Sequence, residues 1–125
     1  MRSLLFLIAV ATTTVPLAAQ QTTLVYRLGK DTSAIEQYSR DANRIAGTMV
    51  QRAGPAVSVV RYEMAWGNDG RPTSAKVARS QPDGSPMPNQ PNETRFRIYP
   101  DSIVRETVRG DSTTRGAVAD TARVN

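Results

Sequence analysis

From Val57 the chain reads Val-Ser-Val-Val-Arg-Tyr-Glu-Met-Ala-Trp, and from Val60 onward Val60, Tyr62, Met64 and Trp66 alternate with Arg61, Glu63 and Ala65. A period of two, with one apolar side and one mostly polar side, predicts a β-strand. A helix fits poorly, because it would gather Tyr62, Glu63 and Trp66 on one face. Trp66 is followed by Gly67-Asn68-Asp69-Gly70, after which Ala75 and Val77 alternate with Ser74, Lys76 and Ala78. Two alternating runs joined by a short Gly/Asn/Asp segment predict a β-hairpin. Trp66-Gly67-Asn68-Asp69-Gly70-Arg71-Pro72, the most conspicuous stretch of the chain, therefore reads as a turn, with Pro72 tolerable beside it or at a sheet edge.

The same pattern recurs on both sides of this hairpin. Leu24, Tyr26 and Leu28 alternate before Gly29-Lys30-Asp31, Asp41-Ala42-Asn43 turns the chain again, and Ala53-Gly54-Pro55 leads into the Val57 strand. Residues 33–46 have mixed periodicity in Ile35, Tyr38 and Ile45, so a helix is the alternative there. Downstream, Phe96 and Ile98 alternate with Arg95 and Arg97, and a last hairpin turns at Gly110-Asp111. Turn signals about every ten residues predict a mainly β protein, an antiparallel β-meander or half-open barrel. Between Gln81 and Glu93 the run QPDGSPMPNQPNE holds four of the eight prolines and predicts a long Pro-rich loop, residues 81–93.

The first twenty residues break this pattern. Arg2, an apolar run from Leu4 to Ala11 and a small-residue end at Ala18-Ala19 predict a secretory signal peptide over residues 1–20, with cleavage after Ala19 or Gln20. Thr12 to Thr14 and Pro16 interrupt the run well before the roughly 18 apolar residues that a membrane-spanning helix needs. The expected product is exported, periplasmic or extracellular, and not membrane-spanning, with one domain over residues 21–125. The absence of cysteine excludes lipid attachment at a lipobox and any disulfide framework.

Composition narrows the chemistry. There is no histidine and no cysteine, which closes the Ser-His-Asp and Cys-His nucleophile systems and the usual zinc sites. Acids sit singly at turns (Asp31, Asp41, Asp69, Asp111) or on what the pattern makes polar strand faces (Glu36, Glu63), so no carboxylate pair for glycoside hydrolysis is expected. Gly29-Lys30 lacks the hydroxyl residue and the earlier glycine of a phosphate loop, and Ala65, Gly67 and Lys76 stand where a calcium loop would need ligands. Arg109-Gly110-Asp111 is explained by turn chemistry, and Asn92-Glu93-Thr94 fits a glycosylation acceptor. The expectation is no enzyme activity, no catalytic residue, no metal and no cofactor. The net charge is +5, but the arginines lie singly along the chain and form no basic stripe with interleaved aromatics, so no nucleic-acid partner is expected.

Core size changes the picture most. Leu, Ile, Val and Phe supply only 17 of the 105 residues beyond Gln20, below the roughly 20% at which chains begin to look disordered. Tyr62, Met64, Trp66 and Phe96, with Tyr26 and Leu28, are the remaining candidates for one apolar side of a curved sheet. They read first as core. If the sheet stays half open, the same residues become a ligand-binding groove for a hydrophobic ligand or an envelope protein partner. The ending Thr-Ala-Arg-Val-Asn shows no cap, closing strand or charged tail, which with the thin core points to an N-terminal portion of a longer protein.

The pattern Tyr26-x-x-Gly29-x-Asp31-Thr32-x-Ala34-x-Glu36-x-Tyr38-x-Arg40, followed by Asp69-Gly70-Arg71, resembles exported bacterial proteins of uncharacterised function that begin with a β-meander. In strand pattern the chain is also similar to the half-barrel sheets of periplasmic lipid carriers. The resemblance implies export and β structure, and carries no site residue. The functional expectation is a non-catalytic binding or structural module of the cell envelope. The alternative is the non-catalytic N-terminal portion of a longer exported enzyme.

Overall fold

The computed structural model describes residues 20–119, so residues 1–19 of the proposed signal peptide and the Thr-Ala-Arg-Val-Asn ending lie outside them, while Gln20 already belongs to a strand. The alternating runs become eight strands: β1 (Gln20–Leu28), β2 (Asp31–Arg40), β3 (Arg44–Ala53), β4 (Ala56–Trp66), β5 (Pro72–Ser80), β6 (Glu93–Ile98), β7 (Ser102–Arg109) and β8 (Ser112–Ala119). They form one open antiparallel sheet in the order β1 to β8, each strand bonded to its sequence neighbours, as in a meander. No helix occurs among the described residues. The mixed stretch at residues 33–46 is strand, turn, strand: Ile35 and Tyr38 point to opposite sides of β2, and the Asp41 carboxylate accepts the Asn43 N–H at 3.0 Å in the turn between β2 and β3.

Turns fall where glycine permits a left-handed backbone. Gly29, Gly54, Gly70 and Gly110 all have positive φ, a conformation that costs residues with a Cβ. The β4–β5 turn is closed by Gly67 N–H to the Arg71 carbonyl at 2.8 Å and Gly70 N–H to the Gly67 carbonyl at 3.0 Å. Asp69 adds a side-chain bond, accepting the Arg71 N–H at 3.0 Å. The conspicuous stretch at Trp66 is thus a turn.

The Pro-rich segment is a tethered loop running from Gln81 to Asn92, since Glu93 already opens β6. Gln81 N–H donates to the Ser85 carbonyl at 2.8 Å, and Ser80 bridges Pro86. Asn92 fastens the loop to three elements: its carbonyl accepts Arg79 N–H, its N–H donates to Val108, and its side-chain oxygen accepts Gly110 N–H at 2.8 Å. The amide that the glycosylation motif would modify is therefore a brace between the loop and the last hairpin.

Facing residues in an antiparallel pair share a side of the sheet, so the register assigns both faces. One carries Tyr26, Glu36, Tyr38, Arg40, Ile45, Gly47, Met49, Val60, Tyr62, Met64, Ala75, Val77, Phe96 and Ile98. This is the aromatic face. The other carries Arg44, Arg61, Glu63, Lys76, Glu93, Arg95, Arg97, Glu106 and Arg115. On this charged face Arg44 pairs with Glu63 at 2.7 Å, Arg95 with Glu93, and Arg115 with Glu106 at 3.9 Å. Such exposed pairs contribute about 0–1 kcal/mol each; the same side also carries Val25, Ile35, Val50, Val57 and the buried Val59.

The core is as thin as the composition implies. Val59 and Val60 are the only buried apolar residues described, joined by Ser58. All three lie on β4, where the register reaches Ser80 and Arg79 and the tethered loop leaves the sheet. The expectation that Tyr62, Met64, Trp66 and Phe96 are core is corrected: Met64 is 38% exposed, the others are half-buried, and no described side chain is fully buried. Leu28 does not join them. A register shift after Tyr26 carries it out of line, and it is 80% exposed at the end of the β1–β2 hairpin.

Candidate functional site

The four residues singled out by pattern fall on one side of the sheet. Tyr62, Met64 and Trp66 follow one another along β4, and Met64 faces Ala75 on β5, which faces Phe96 on β6. Trp66 reaches the same end of the sheet through a register shift after Ala65, and its N–H donates to the Asn43 carbonyl at 2.8 Å. A cavity of about 480 Å³ opens there, lined by Arg40, Ile45, Met64, Trp66, Ala75 and Val77. Its size is within the range of small-molecule sites.

The cavity is bounded by a feature the sequence pattern did not reveal. Tyr62 reaches across β3 to donate its hydroxyl to Glu36 Oε1 on β2, and Tyr26 on β1 donates to Glu36 Oε2 at 2.5 Å. One carboxylate thereby links β1, β2 and β4 over the intervening β3. The crossing needs a gap in β3, and Gly47 supplies it: a Cβ there would meet the Tyr62 hydroxyl oxygen at 2.5 Å and the Tyr38 Cβ at 2.9 Å. The expected placing of Glu36 on a solvated polar face is therefore corrected. It shares the aromatic face with Tyr38 and Tyr62, and both of its oxygens have tyrosine partners.

This arrangement shifts acidities in one direction. Tyr62 is held well above the usual phenol range, first by burial and then by its hydrogen bond to Glu36. Tyr26 is raised as well, chiefly by the same carboxylate acting as acceptor. Both phenols therefore stay protonated donors at neutral pH, the state opposite to what a nucleophile or base requires. Among the described residues, no cluster of three or more Asp and Glu gathers as a cation site. Ser74 and Lys76 share the charged face.

No protein-family model, curated protein or solved structure matches this chain. Among the described residues, no helix is long and apolar enough to cross a membrane.

Proposed function

We propose that this chain is an exported, non-catalytic binding or structural module of the cell envelope, whose aromatic sheet face packs on a partner or a hydrophobic ligand. One observation carries the reading. The sheet is a single layer among the described residues, and on the side of Tyr62, Met64, Trp66 and Phe96 only Val60 is buried, these four being half-buried or exposed. β-sheets ordinarily bury their apolar side against a second layer. Eight strands about 4.8 Å apart and some 27 Å long present roughly 900 Å², comparable to the roughly 800 Å² that each partner gives to a specific interface. Export rests on the leader-like residues 1–20, the last of which, Gln20, opens β1.

The test is a charge placed on each face in turn. Met64→Asp should lower the binding of an environment-sensitive apolar dye several-fold, while Arg97→Asp on the opposite face, away from the cavity, should leave it unchanged. Equal dye binding by both variants and the native sequence would refute the aromatic face as the binding surface.

A further inference from the structure

The register places the aromatic face in lateral rows, and one row has a distinctive composition. From β2 to β7 it reads Arg40, Ile45, Met64, Ala75, Phe96, Arg105. Four apolar residues on adjacent strands, spanning about 14 Å, are closed at each end by an arginine. Neither Arg40 nor Arg105 has a hydrogen-bond or ion-pair partner among the described residues; on the charged face Arg44, Arg95 and Arg115 each have a glutamate, while Arg61 and Arg97 have none. The cavity encloses the Arg40 end of this row, with Trp66 and Val77 widening its apolar floor.

Charge decides what fits. Among strand residues the aromatic face carries Arg40, Arg79, Arg105 and Arg109, with Arg27 past the register shift in β1, against Glu36 alone, and both Glu36 oxygens already accept tyrosine hydroxyls. Arg79 is held by the Pro-rich loop, donating to Gln90 Oε1 at 3.1 Å. Glu63 and Lys76 also border the cavity, but the register puts their side chains on the opposite face. A second copy laid face to face would bring these arginines together with no free carboxylate between them, and uncompensated buried charge is strongly destabilising. An occupant with an apolar body and one anionic end leaves no such deficit.

Resting on the binding reading above and sharpening it, we infer that the row takes a single-chain anionic amphiphile, an alkyl carboxylate. Its head group bonds the Arg40 guanidinium, and its chain lies across Ile45, Met64, Ala75 and Phe96. Guanidinium and carboxylate match in geometry and form charge-assisted pairs, and the alkyl chain covers apolar surface that is otherwise in water.

The chain has one tryptophan, Trp66, and it lines the cavity, so its emission reports occupancy directly. Dodecanoate titrated into the full chain below its aggregation range should shift Trp66 emission to shorter wavelength with saturation. Dodecyltrimethylammonium, with the same chain and opposite charge, should bind at least about fivefold more weakly, and Arg40→Gln should weaken dodecanoate by about five- to tenfold. Arg61→Gln, on the charged face, should change nothing. Equal binding of the two amphiphiles, unaffected by Arg40→Gln, would overturn the head-group assignment and leave the apolar-face reading standing. If neither amphiphile alters Trp66 while the apolar dye still discriminates Met64→Asp, the alkyl ligand is wrong and a protein partner takes its place. A concentration-dependent dimer abolished by Met64→Asp, without amphiphile binding, would give the face to a second copy. Silence from both amphiphiles and the dye would remove the binding reading as well.

Discussion

Gly47 on β3 and Gly116 on β8 both lie within strands and on the same side of one sheet, yet their surroundings differ. Over Gly47 the ring of Tyr62 crosses to Glu36, so that an added Cβ would meet ring and strand atoms at 2.5 to 2.9 Å. Over Gly116 an added Cβ would meet nothing within 4 Å. The first glycine is a notch for a cross-strand network, and the second is a bare place at the sheet margin. What separates them is the neighbouring row: Tyr38, Tyr62 and Val77 beside Gly47, Arg105 beside Gly116. The centre of the sheet is organised by side chains spanning several strands, whereas β8 is held mainly by its ladder with β7.

That contrast is open to attack, most forcefully at the notch. Gly47→Ala should cost about 2–3 kcal/mol in urea denaturation, because Tyr62 must leave Glu36 or the backbone must shift. Tyr62→Phe should cost about 1 kcal/mol, since it removes one donor to a carboxylate that retains Tyr26. Combined, the two substitutions should cost less than their sum, because both break the same bond. Full additivity would show that the ring and the notch act independently.

Alkaline pH tests the network without mutation. The folded-state pKa values of Tyr62 and Tyr26 lie above the ordinary phenol value. Their contribution is therefore complete below about pH 10, where unfolded tyrosine begins to ionise, and is lost as pH rises through the folded-state range. Urea midpoints should fall above about pH 10, and more gently in Tyr62→Phe. Parallel pH curves would rule out the Tyr62–Glu36 bond as the cause. The smallest effect belongs to the margin, where Gly116→Ala should stabilise by about 0.5 kcal/mol by restricting the unfolded chain.

Much of the fold was legible because strands and turns are local. Val60 to Trp66 announces its two sides by alternation, and Gly54, Gly70 and Gly110 mark turns that need positive φ. The shared face of Tyr62, Met64, Trp66 and Phe96 followed from the same alternation once neighbouring strands paired. The Glu36 network did not follow, because Tyr62 and Glu36 are 26 residues apart in sequence with β3 lying between their strands. A clue was present in β2, where Ala34, Glu36, Tyr38 and Arg40 alternate with Ile35 and so place the acid beside an aromatic. Leu28 was misplaced because a register shift is invisible to a period of two. Above all, alternation tells which side chains share a face and is silent on whether anything covers it.

That coverage is the centre of the account, and the absence of cysteine makes it measurable. Met64→Cys and Val60→Cys would each place a thiol on the aromatic side of β4, one at a 38% exposed position and one at a 5% exposed position. The account predicts that, in the isolated full chain under native conditions, a maleimide modifies Met64→Cys nearly as fast as a free thiol and modifies Val60→Cys many-fold more slowly. Equal protection at both positions would mean that a second layer covers the aromatic face, and would contradict the open sheet on which the proposed function depends.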